Sequence, residues 1–446
     1  MAQVIEQTEA AATMDEAGGD GLRAGTVAVV GLGRAGLPAA VEFGARRQTI
    51  GYDTSPARVE ALMRRIDASG AVPAHALGRA RHLWITQDPA QLARADFVLV
   101  AVPASVDARR PDLASLEAAS RTVGRHLKPG AVVIYASTVY PGATEEACVP
   151  ILEQASGRRW RRGFHVAYSP RQSVADERSL GATPRLVAAD DATTLERVAA
   201  LFAAVVPAGV HRLSSIRAAE AAALVGSVQR DLNIALVNEL AIMFGPLGLD
   251  TAEVLHAAEA KSDFVRFRPG LPGGHALGVA PYCLAHAAQR AGWQPALTLA
   301  GRGINDAMPA YVAAQIARLL VQSGRGVDGA RVNVLGLAYK ENCADVRRSK
   351  VAELVRELQG FGARCFVHDP LVDPADALGR CGLNLHAWDE LPRADALILA
   401  VAHRRFVDLP AATCLQKIAR RGCLIDVASA LDPEPFRRAG INVWRL

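Results

Sequence analysis

From Thr26 to about Leu213, short apolar runs rich in β-branched residues alternate with stretches of helical spacing. The runs are TVAVVG from residue 26, QTIGYD from 48, DFVLVAV from 96, AVVIYA from 131 and FHVAYS from 164. Strands separated by helix-length segments build βαβ units, which leads to a parallel sheet. The alternation stops at Ile216. From there to about Leu247 the chain holds no proline until Pro246 and is rich in Ala, Leu and Val at helical spacing, which predicts one long helix. Further helix is predicted to about Ser323, interrupted by the turn-forming segment RFRPGLPGGHALGVAP at 266–281. The strand-helix pattern resumes at Arg331 with RVNVLGLAY, RCFVHDP from 364, ALILAV from 396 and CLIDV from 423. The expected class is α/β, with two Rossmann-like parallel-sheet domains joined by a long central helix and a helical segment.

At 446 residues the chain exceeds what one hydrophobic core organises. The expected division is a flexible N-terminal extension at 1–23, a dinucleotide-binding domain at 24–215, a central helical domain at 216–325 and a second Rossmann-like domain at 326–446. The extension carries Glu6, Asp15 and Glu16 where a secretory signal places basic and then apolar residues. No run approaches the roughly 18 apolar residues of a membrane span, so a soluble, cytoplasmic protein is expected. A net charge of +5 over this length exerts little pull on polyanions. The basic run Arg158-Arg159-Trp160-Arg161-Arg162 has the composition of a nucleic-acid grip, but it lies between a helical stretch and an apolar strand; a solvated loop, and no nucleic-acid partner, is expected. Seven cysteines, an odd number without a CxxC pair, fit reduced thiols and no metal site.

The first strand runs directly into Gly31-Leu32-Gly33-Arg34-Ala35-Gly36, a helix is predicted from Leu37, and Asp53 ends the second strand. A lone GxGxxG is weak; here strand, glycines, helix and acid coincide. Gly31 permits the tight turn, Gly33 lets backbone approach a pyrophosphate, and Gly36 lets the helix pack closely. The helix N-terminus then faces the phosphates. Asp53 would accept hydrogen bonds from ribose hydroxyls, favouring NAD; Arg58, close by, keeps NADP open as an alternative.

Beyond this point the sequence resembles the nucleotide-sugar 6-dehydrogenases, the UDP-glucose/GDP-mannose dehydrogenase superfamily, and most closely the branch acting on UDP-N-acetylhexosamines. The resemblance covers essentially all of 26–446 and rests on GLGRAGLPAAVEFG from 31, STVYPGATEE from 137, YSP from 168, QRDLNIALVNELA from 229, FRPGLPGGH from 267, LAGRGIND from 299, LGLAYKENCADVRRSK from 335 and HDP from 368. It implies that the first domain binds NAD, that the last binds the UDP moiety of a nucleotide-sugar, and that the central helix builds a dimer. On the matching positions it implies that Lys340 lies near the nucleotide-sugar with Asp345 and Arg347 in the same segment. It further implies that Thr138 flanks the reacting centre, that Gly273 and Gly274 shape the substrate loop, and that Arg268 reaches the neighbouring subunit's sugar site. A lysine and an arginine facing a diphosphate suit charge and bidentate hydrogen bonding. The competing reading of Lys340 and Arg347 is a surface ion-pair network.

Several reacting positions depart from the family pattern. The thiol that traps the intermediate aldehyde in a GGHC motif is replaced, because the loop reads Gly273-Gly274-His275-Ala276 and a methyl group is no nucleophile. The aspartate of a GVDPYY-like segment is Ala280, the oxyanion-stabilising lysine and asparagine fall on Ala223 and Ser227, and the glutamate of the SPER motif falls on Arg171. The cofactor-side PTP-like turn reads Pro103-Ala104-Ser105. Thr138 and His275 are retained. Cys283 occupies an aromatic position of the motif and reads as a small buried side chain. Loss of one member of a catalytic unit can cost on the order of a million-fold in rate, so the expectation is a homologue that binds NAD and a nucleotide-sugar without the usual four-electron oxidation at C6. It would act as a homodimer, or as a heterodimer completing the site of an active paralogue. Two alternatives stand beside it: altered two-electron redox or epimerase chemistry, which needs no cysteine, and the family oxidation by an unfamiliar route.

Overall fold

The computed structural model describes residues 25–107, 109–170, 183–274 and 277–446. The expected extension at 1–23, and the site positions Arg171, His275 and Ala276, lie outside the described residues.

The first sheet has eight strands, β1 (Val27–Val30), β2 (Thr49–Tyr52), β3 (Leu83–Thr86), β4 (Phe97–Val100), β7 (Val132–Tyr135), β8 (His165–Tyr168), β9 (Arg185–Ala189) and β10 (Val210–Arg212), in the order β10-β9-β8-β7-β4-β1-β2-β3. Every neighbour pair is parallel except β8 with β9. Between β4 and β7 the chain makes a small antiparallel hairpin, β5 (Ser105–Asp107) with β6 (Arg110–Asp112). Side chains alternate across the sheet: Val27, Val29, Val132 and Ile134 enter one core while Ala28, Val30, Val133 and Tyr135 enter the other. Both faces are therefore dry, which is why these runs carry no polar alternation.

The second sheet is wholly parallel, in the order β12-β11-β13-β14-β15, built from β11 (Arg331–Leu335), β12 (Arg364–His368), β13 (Ala394–Leu399), β14 (Ile418–Asp426) and β15 (Asn442–Arg445). Each sheet reverses its winding beside its first strand, between β1 and β4 and between β11 and β13. Ligands of such sheets bind in the crevice beyond the strands' carboxyl ends at that reversal.

Five helices matter below: α1 (Gly36–Gly44), α2 (Ile216–Phe244), α3 (Ala280–Arg290), α4 (Ala296–Gln322) and α5 (Lys350–Gly360). The long helix expected from Ile216 begins there, capped by Ser215, whose hydroxyl accepts from the Ala218 N–H at 3.2 Å, and it ends at Phe244 before Gly245 and Pro246. α2 and α4 are clasped by buried polar groups. The Asn238 amide donates to Asn305 at 2.8 Å, Asn305 donates to both the backbone and the carboxylate of Asp231, and Asp231 pairs with Arg302. Arg302 continues to Asp306, which also accepts from Tyr282 on α3 and from Lys350 at the start of α5. The motif segments at 229 and 299 are thus each other's hydrogen-bond partners, and they tie the helical region to the last domain. No described helix is long and apolar enough to cross a membrane.

Candidate functional site

At the first crevice the glycine loop has the geometry its sequence requires. Gly31 sits at φ +89 and donates to the Tyr52 carbonyl at 2.8 Å. A Cβ on Gly36 would collide with the Gly31 carbonyl, so only glycine lets α1 start this close to β1. A Cβ on Gly33 would meet nothing within 4 Å, which leaves that face of the loop open to an approaching diphosphate. Asp53 accepts from the Leu32 N–H at 2.8 Å through one oxygen and from the Ser55 N–H at 2.9 Å through the other, and it remains half-exposed. A carboxylate offers about four acceptor sites, so ribose hydroxyls can still be received. Loop, helix start and acid together fit a dinucleotide.

Arg58 is used differently from the phosphate-reading alternative. Its Nε and Nη2 donate to the Leu32 carbonyl at 3.0 and 2.7 Å, and its Nη1 pairs with Asp67 at 2.7 Å. Asp67 also receives the N–H groups of Ser69, Ala71 and Val72. Burial pushes its carboxyl up, but Ser69, Arg58 and these amides together hold it below the usual range. Arg58 therefore braces the glycine loop from beneath.

Thr138 is half-buried just past β7. Its loop is pinned from several sides. The Ser137 hydroxyl donates to the Val102 carbonyl at 2.6 Å, Tyr168 donates to the Ser137 carbonyl at 3.0 Å, and Glu220 of α2 receives the N–H groups of Gly142 and Thr144 at 2.5 and 2.9 Å. Glu220 is fully buried, and burial raises its carboxyl above the usual value against these hydrogen bonds. Its positioning role was not signalled by the sequence, where it reads as one more polar residue on an alanine-rich helix. In the Pro103-Ala104-Ser105 turn, Ala104 is buried and the Ser105 hydroxyl donates to Asp112 at 2.6 Å.

The last domain meets this region through residues 336–350. Gly336 sits at φ +91, and Asp369, just after β12, receives the N–H groups of Leu337, Ala338, Leu371 and Val372 as well as His403 Nε2 at 3.1 Å. Asn342 N–H donates to His403 Nδ1 at 2.8 Å, so the imidazole bridges two parts of the loop. Lys340 is half-buried, with its ammonium 6.0 Å from the Tyr339 ring centre and no carboxylate partner among the described residues. Arg347 forms a bidentate pair with Asp345, at 3.1 Å through Nε and 2.7 Å through Nη2 to the same oxygen, with Nε also 3.0 Å from the other. Asp345 lies 3.5 Å from Arg34 of the glycine loop. Arg34 was not singled out from the sequence, yet it reaches across from the first domain and also donates to the Ser69 carbonyl at 2.8 Å. Gly273 and Gly274 lie against the same segment: a Cβ on Gly273 would strike the Arg348 carbonyl and one on Gly274 the Tyr339 ring. Arg268 is exposed on the loop before them and has no ion pair or side-chain hydrogen bond among the described residues.

Between α2 and α3 lies the region of the departed reacting groups. Ala280 is fully buried in an apolar cluster with Leu224, Val228, Val279 and Cys283, edged by Val106, Tyr140, Leu232 and Leu284. Ala223 packs against the neighbouring core and Ser227 is half-buried. Burial pushes the Cys283 thiol up to about 12 despite the nearby Arg348. Elsewhere, the indole of Trp160 in the basic run donates to Asp190 at 2.7 Å, and the Arg161 guanidinium stacks on that ring, so neither offers a free stacking face. His165, Asp190 and Asp191 come close enough to hold an ion, but Asp190 is already receiving Trp160 and Val166, and Asp191 caps a helix through Thr194.

Comparison with known proteins agrees with this layout. Residues 25–204 match the NAD binding domain of the UDP-glucose/GDP-mannose dehydrogenase family, 217–307 its central domain and 333–433 its UDP binding domain. The chain is 43% identical over 411 residues to UDP-N-acetyl-D-glucosamine 6-dehydrogenase of Pseudomonas aeruginosa, covering 92% of this chain and 97% of that one. It is 43% identical over 423 residues to Protein CapL of Staphylococcus aureus, covering 94% and 99%. Among solved structures, UDP-D-ManNAc dehydrogenase of Pyrococcus horikoshii superposes with a TM-score of 0.84 at 25% identity, over 94% of this chain and 98% of that one. The chain belongs to the UDP-glucose/GDP-mannose dehydrogenase family, and NAD is the cofactor of its first domain.

Proposed function

We propose that this chain binds NAD and a UDP-N-acetylhexosamine but does not carry out the four-electron oxidation to the uronic acid. The observation that carries the reading is the apolar cluster around Ala280. By resemblance, that position and Ala223 and Ser227 are where a base and oxyanion donors stand, and methyl groups or a lone hydroxyl cannot move a proton or hold developing charge. The sulfur in this cluster belongs to Cys283. Burial pushes its thiol up to about 12, which holds it protonated at neutral pH and poorly suited to trap an aldehyde. NAD, when bound, supplies a hydride acceptor. This chain's own contribution is to cradle it on Gly31, Gly33 and Gly36, to receive its ribose on Asp53, and to present Lys340 and Arg347 to the nucleotide-sugar.

Apolar side chains left exposed on and after the long helix, Val225, Leu236, Met243, Leu247 and Leu249, support a dimer through that helix. In such a dimer Arg268 is free to serve the other subunit's site, including that of an active paralogue. Incubation with NAD and UDP-N-acetylglucosamine or UDP-N-acetylgalactosamine, followed by NADH absorbance and product mass, tests the reading. Binding without sugar acid is expected, and Ala276→Cys alone should restore less than a thousandth of the rate of a family enzyme. Formation of sugar acid at ordinary enzyme speed refutes it, and an epimer without net NADH would move the assignment to two-electron chemistry. Co-expression with an active relative tests the partner role, which fails if the two neither co-purify nor alter each other's rate.

A further inference from the structure

The β5–β6 hairpin lies across α3, and between them and the first turn of α4 opens a cleft of about 530 Å³. Arg109 and Arg110 line it from the hairpin; Tyr282, His286, Gln289 and Arg290 line it from α3. None of these residues belongs to the glycine loop or to the 336–350 segment.

The charge in the cleft is lopsided. Neither Arg109 nor Arg110 has a carboxylate partner among the described residues. The acid that approaches is Glu146, and it is shared: one oxygen takes Arg290 at 2.8 Å and the other Arg217 at 2.7 Å. Arg290 also sits 5.5 Å from the Tyr140 ring centre, and the ring of His286 packs tilted against that same tyrosine, with ring centres 5.0 Å apart. The surroundings disfavour one more positive charge. Burial, then Arg290, then Arg110 hold the His286 imidazole below its ordinary value. Burial by itself disfavours charge of either sign, but the part due to Arg290 and Arg110 is a positive field that favours an anion.

We propose that this cleft is a separate binding site for a diphosphate group. Two adjacent arginines on the hairpin, with a third on the opposing helix that Glu146 already engages, bring to one cleft the side chain that takes phosphate oxygens by planar, bidentate hydrogen bonds. The volume lies within the range of small-molecule sites. The floor of Ala285 and Leu299, with the buried ring of Tyr282, provides an apolar base on which the uncharged part of a nucleoside diphosphate can lie, while free pyrophosphate would use the arginines alone. The site adds an anion-responsive position beside the Tyr140 loop, and it does not depend on whether the sugar is oxidised.

The test uses the full-length chain with ¹³C-labelled histidine, saturated with NAD, at constant ionic strength. The His286 signal is assigned by its loss in His286→Gln. Inorganic pyrophosphate and UDP are titrated separately. Saturable binding of at least one is expected, with the imidazole pKa of His286 rising by about one unit. Arg109→Gln/Arg110→Gln should weaken that response at least ten-fold while NAD affinity stays within two-fold, which also shows that the variant is folded. A response to UDP at lower concentration than to pyrophosphate identifies a nucleotide as the occupant; equal responses identify the diphosphate itself. The proposal is overturned if neither ligand moves His286, or if the double variant responds like the unaltered chain.

Discussion

The two Rossmann-like domains begin with the same construction and put it to opposite uses. In the first, Gly31 at positive φ donates to the Tyr52 carbonyl at 2.8 Å and Leu32 donates to Asp53 at 2.8 Å. In the second, Gly336 at positive φ donates to the His368 carbonyl at 2.8 Å and Leu337 donates to Asp369 at 2.7 Å. The strand, the turn and the strand-end aspartate superimpose in logic, and then diverge. After Leu32 come two more glycines and the start of α1, so phosphates can meet bare backbone at a helix N-terminus. After Leu337 no long helix begins until Lys350; the gap carries Lys340, Asp345 and Arg347, so what this loop offers a ligand is side chains instead of bare backbone. The aspartates follow suit. Asp53 is half-exposed and keeps acceptor capacity, whereas the Asp369 side chain is sealed and consumed by backbone amides and His403. One motif thus leaves an open carboxylate, proposed to receive a ribose, in one domain and makes a loop anchor in the other.

The sharpest break between glycine as spacer and glycine as ligand surface is Gly36→Ala against Gly33→Ala. The first has no room for its methyl and should cost about 4 kcal/mol or more, read as loss of folded protein or a large fall in thermal midpoint. The second has open space and should fold normally while NAD affinity, measured by calorimetry, falls at least ten-fold. Next in size is the aspartate pair. Asp369→Asn leaves buried donors and His403 without their charge and should lower stability by roughly 3 kcal/mol, while Asp53→Asn should change it by less than about 1 kcal/mol and instead weaken NAD binding. Burial pushes the Asp369 carboxyl up, but His403 and the amides of Leu337 and Leu371 hold it below the usual range. A depressed folded value means that the stabilisation is present above the unfolded value, near 3.8, and is lost as pH falls through the folded one. The gap in thermal midpoint between the native chain and Asp369→Asn should therefore persist from neutral pH to about 4 and narrow below it. A gap unchanged in acid would show that packing, and not charge, anchors the loop.

Much of this contrast was legible in the chain before any coordinates. Apolar runs separated by helix-length segments announced both sheets, and the long helix was visible because Ile216 to Phe244 holds no proline. What escaped were mainly edge strands with little to bury, together with β9, an interior strand that fully buries only Val187 and Ala188. β3 is an edge strand half-covered along its length, and β10 and β15 are edges carrying His211 and Arg212, or Arg445. Solvent on one side removes the apolar run that periodicity detects. Within the site, residues whose role is local, such as Gly31 with Gly36, were readable because the partner lies a few positions away. Arg34, Glu220 and Asp369 act on backbone or side chains that are distant in sequence, and no spacing rule connects them. Arg58 shows the converse: proximity to Asp53 in sequence suggested a phosphate hand, while the fold supplies Asp67 as its partner.

Smaller effects sharpen the comparison where the two domains touch. If the second loop meets its ligand through side chains, Arg347→Ala and Lys340→Ala should each weaken UDP binding by about ten-fold, around 1.4 kcal/mol, and leave NAD binding nearly untouched. The smallest expected effect belongs to Arg34. Arg34 follows Gly33 in the glycine loop, its guanidinium lies 3.5 Å from the carboxylate of Asp345, and Asp345 holds Arg347 in a bidentate grip. A diphosphate arriving at Gly33 competes with Asp345 for Arg34, so the two ligands share a chain of three charged side chains. Linkage then requires that NAD alter UDP affinity by the same factor by which UDP alters NAD affinity. The pair is part-exposed and 3.5 Å apart, which limits the coupling to about 1 kcal/mol, or up to five-fold. Arg34→Ala should abolish that factor while leaving UDP affinity in the absence of NAD almost unchanged. Calorimetry of UDP with and without saturating NAD measures it directly. Equal coupling in the variant would mean that the domains communicate, if at all, through the clasp at Asp306 and Lys350, and that the two Rossmann loops are neighbours without being partners.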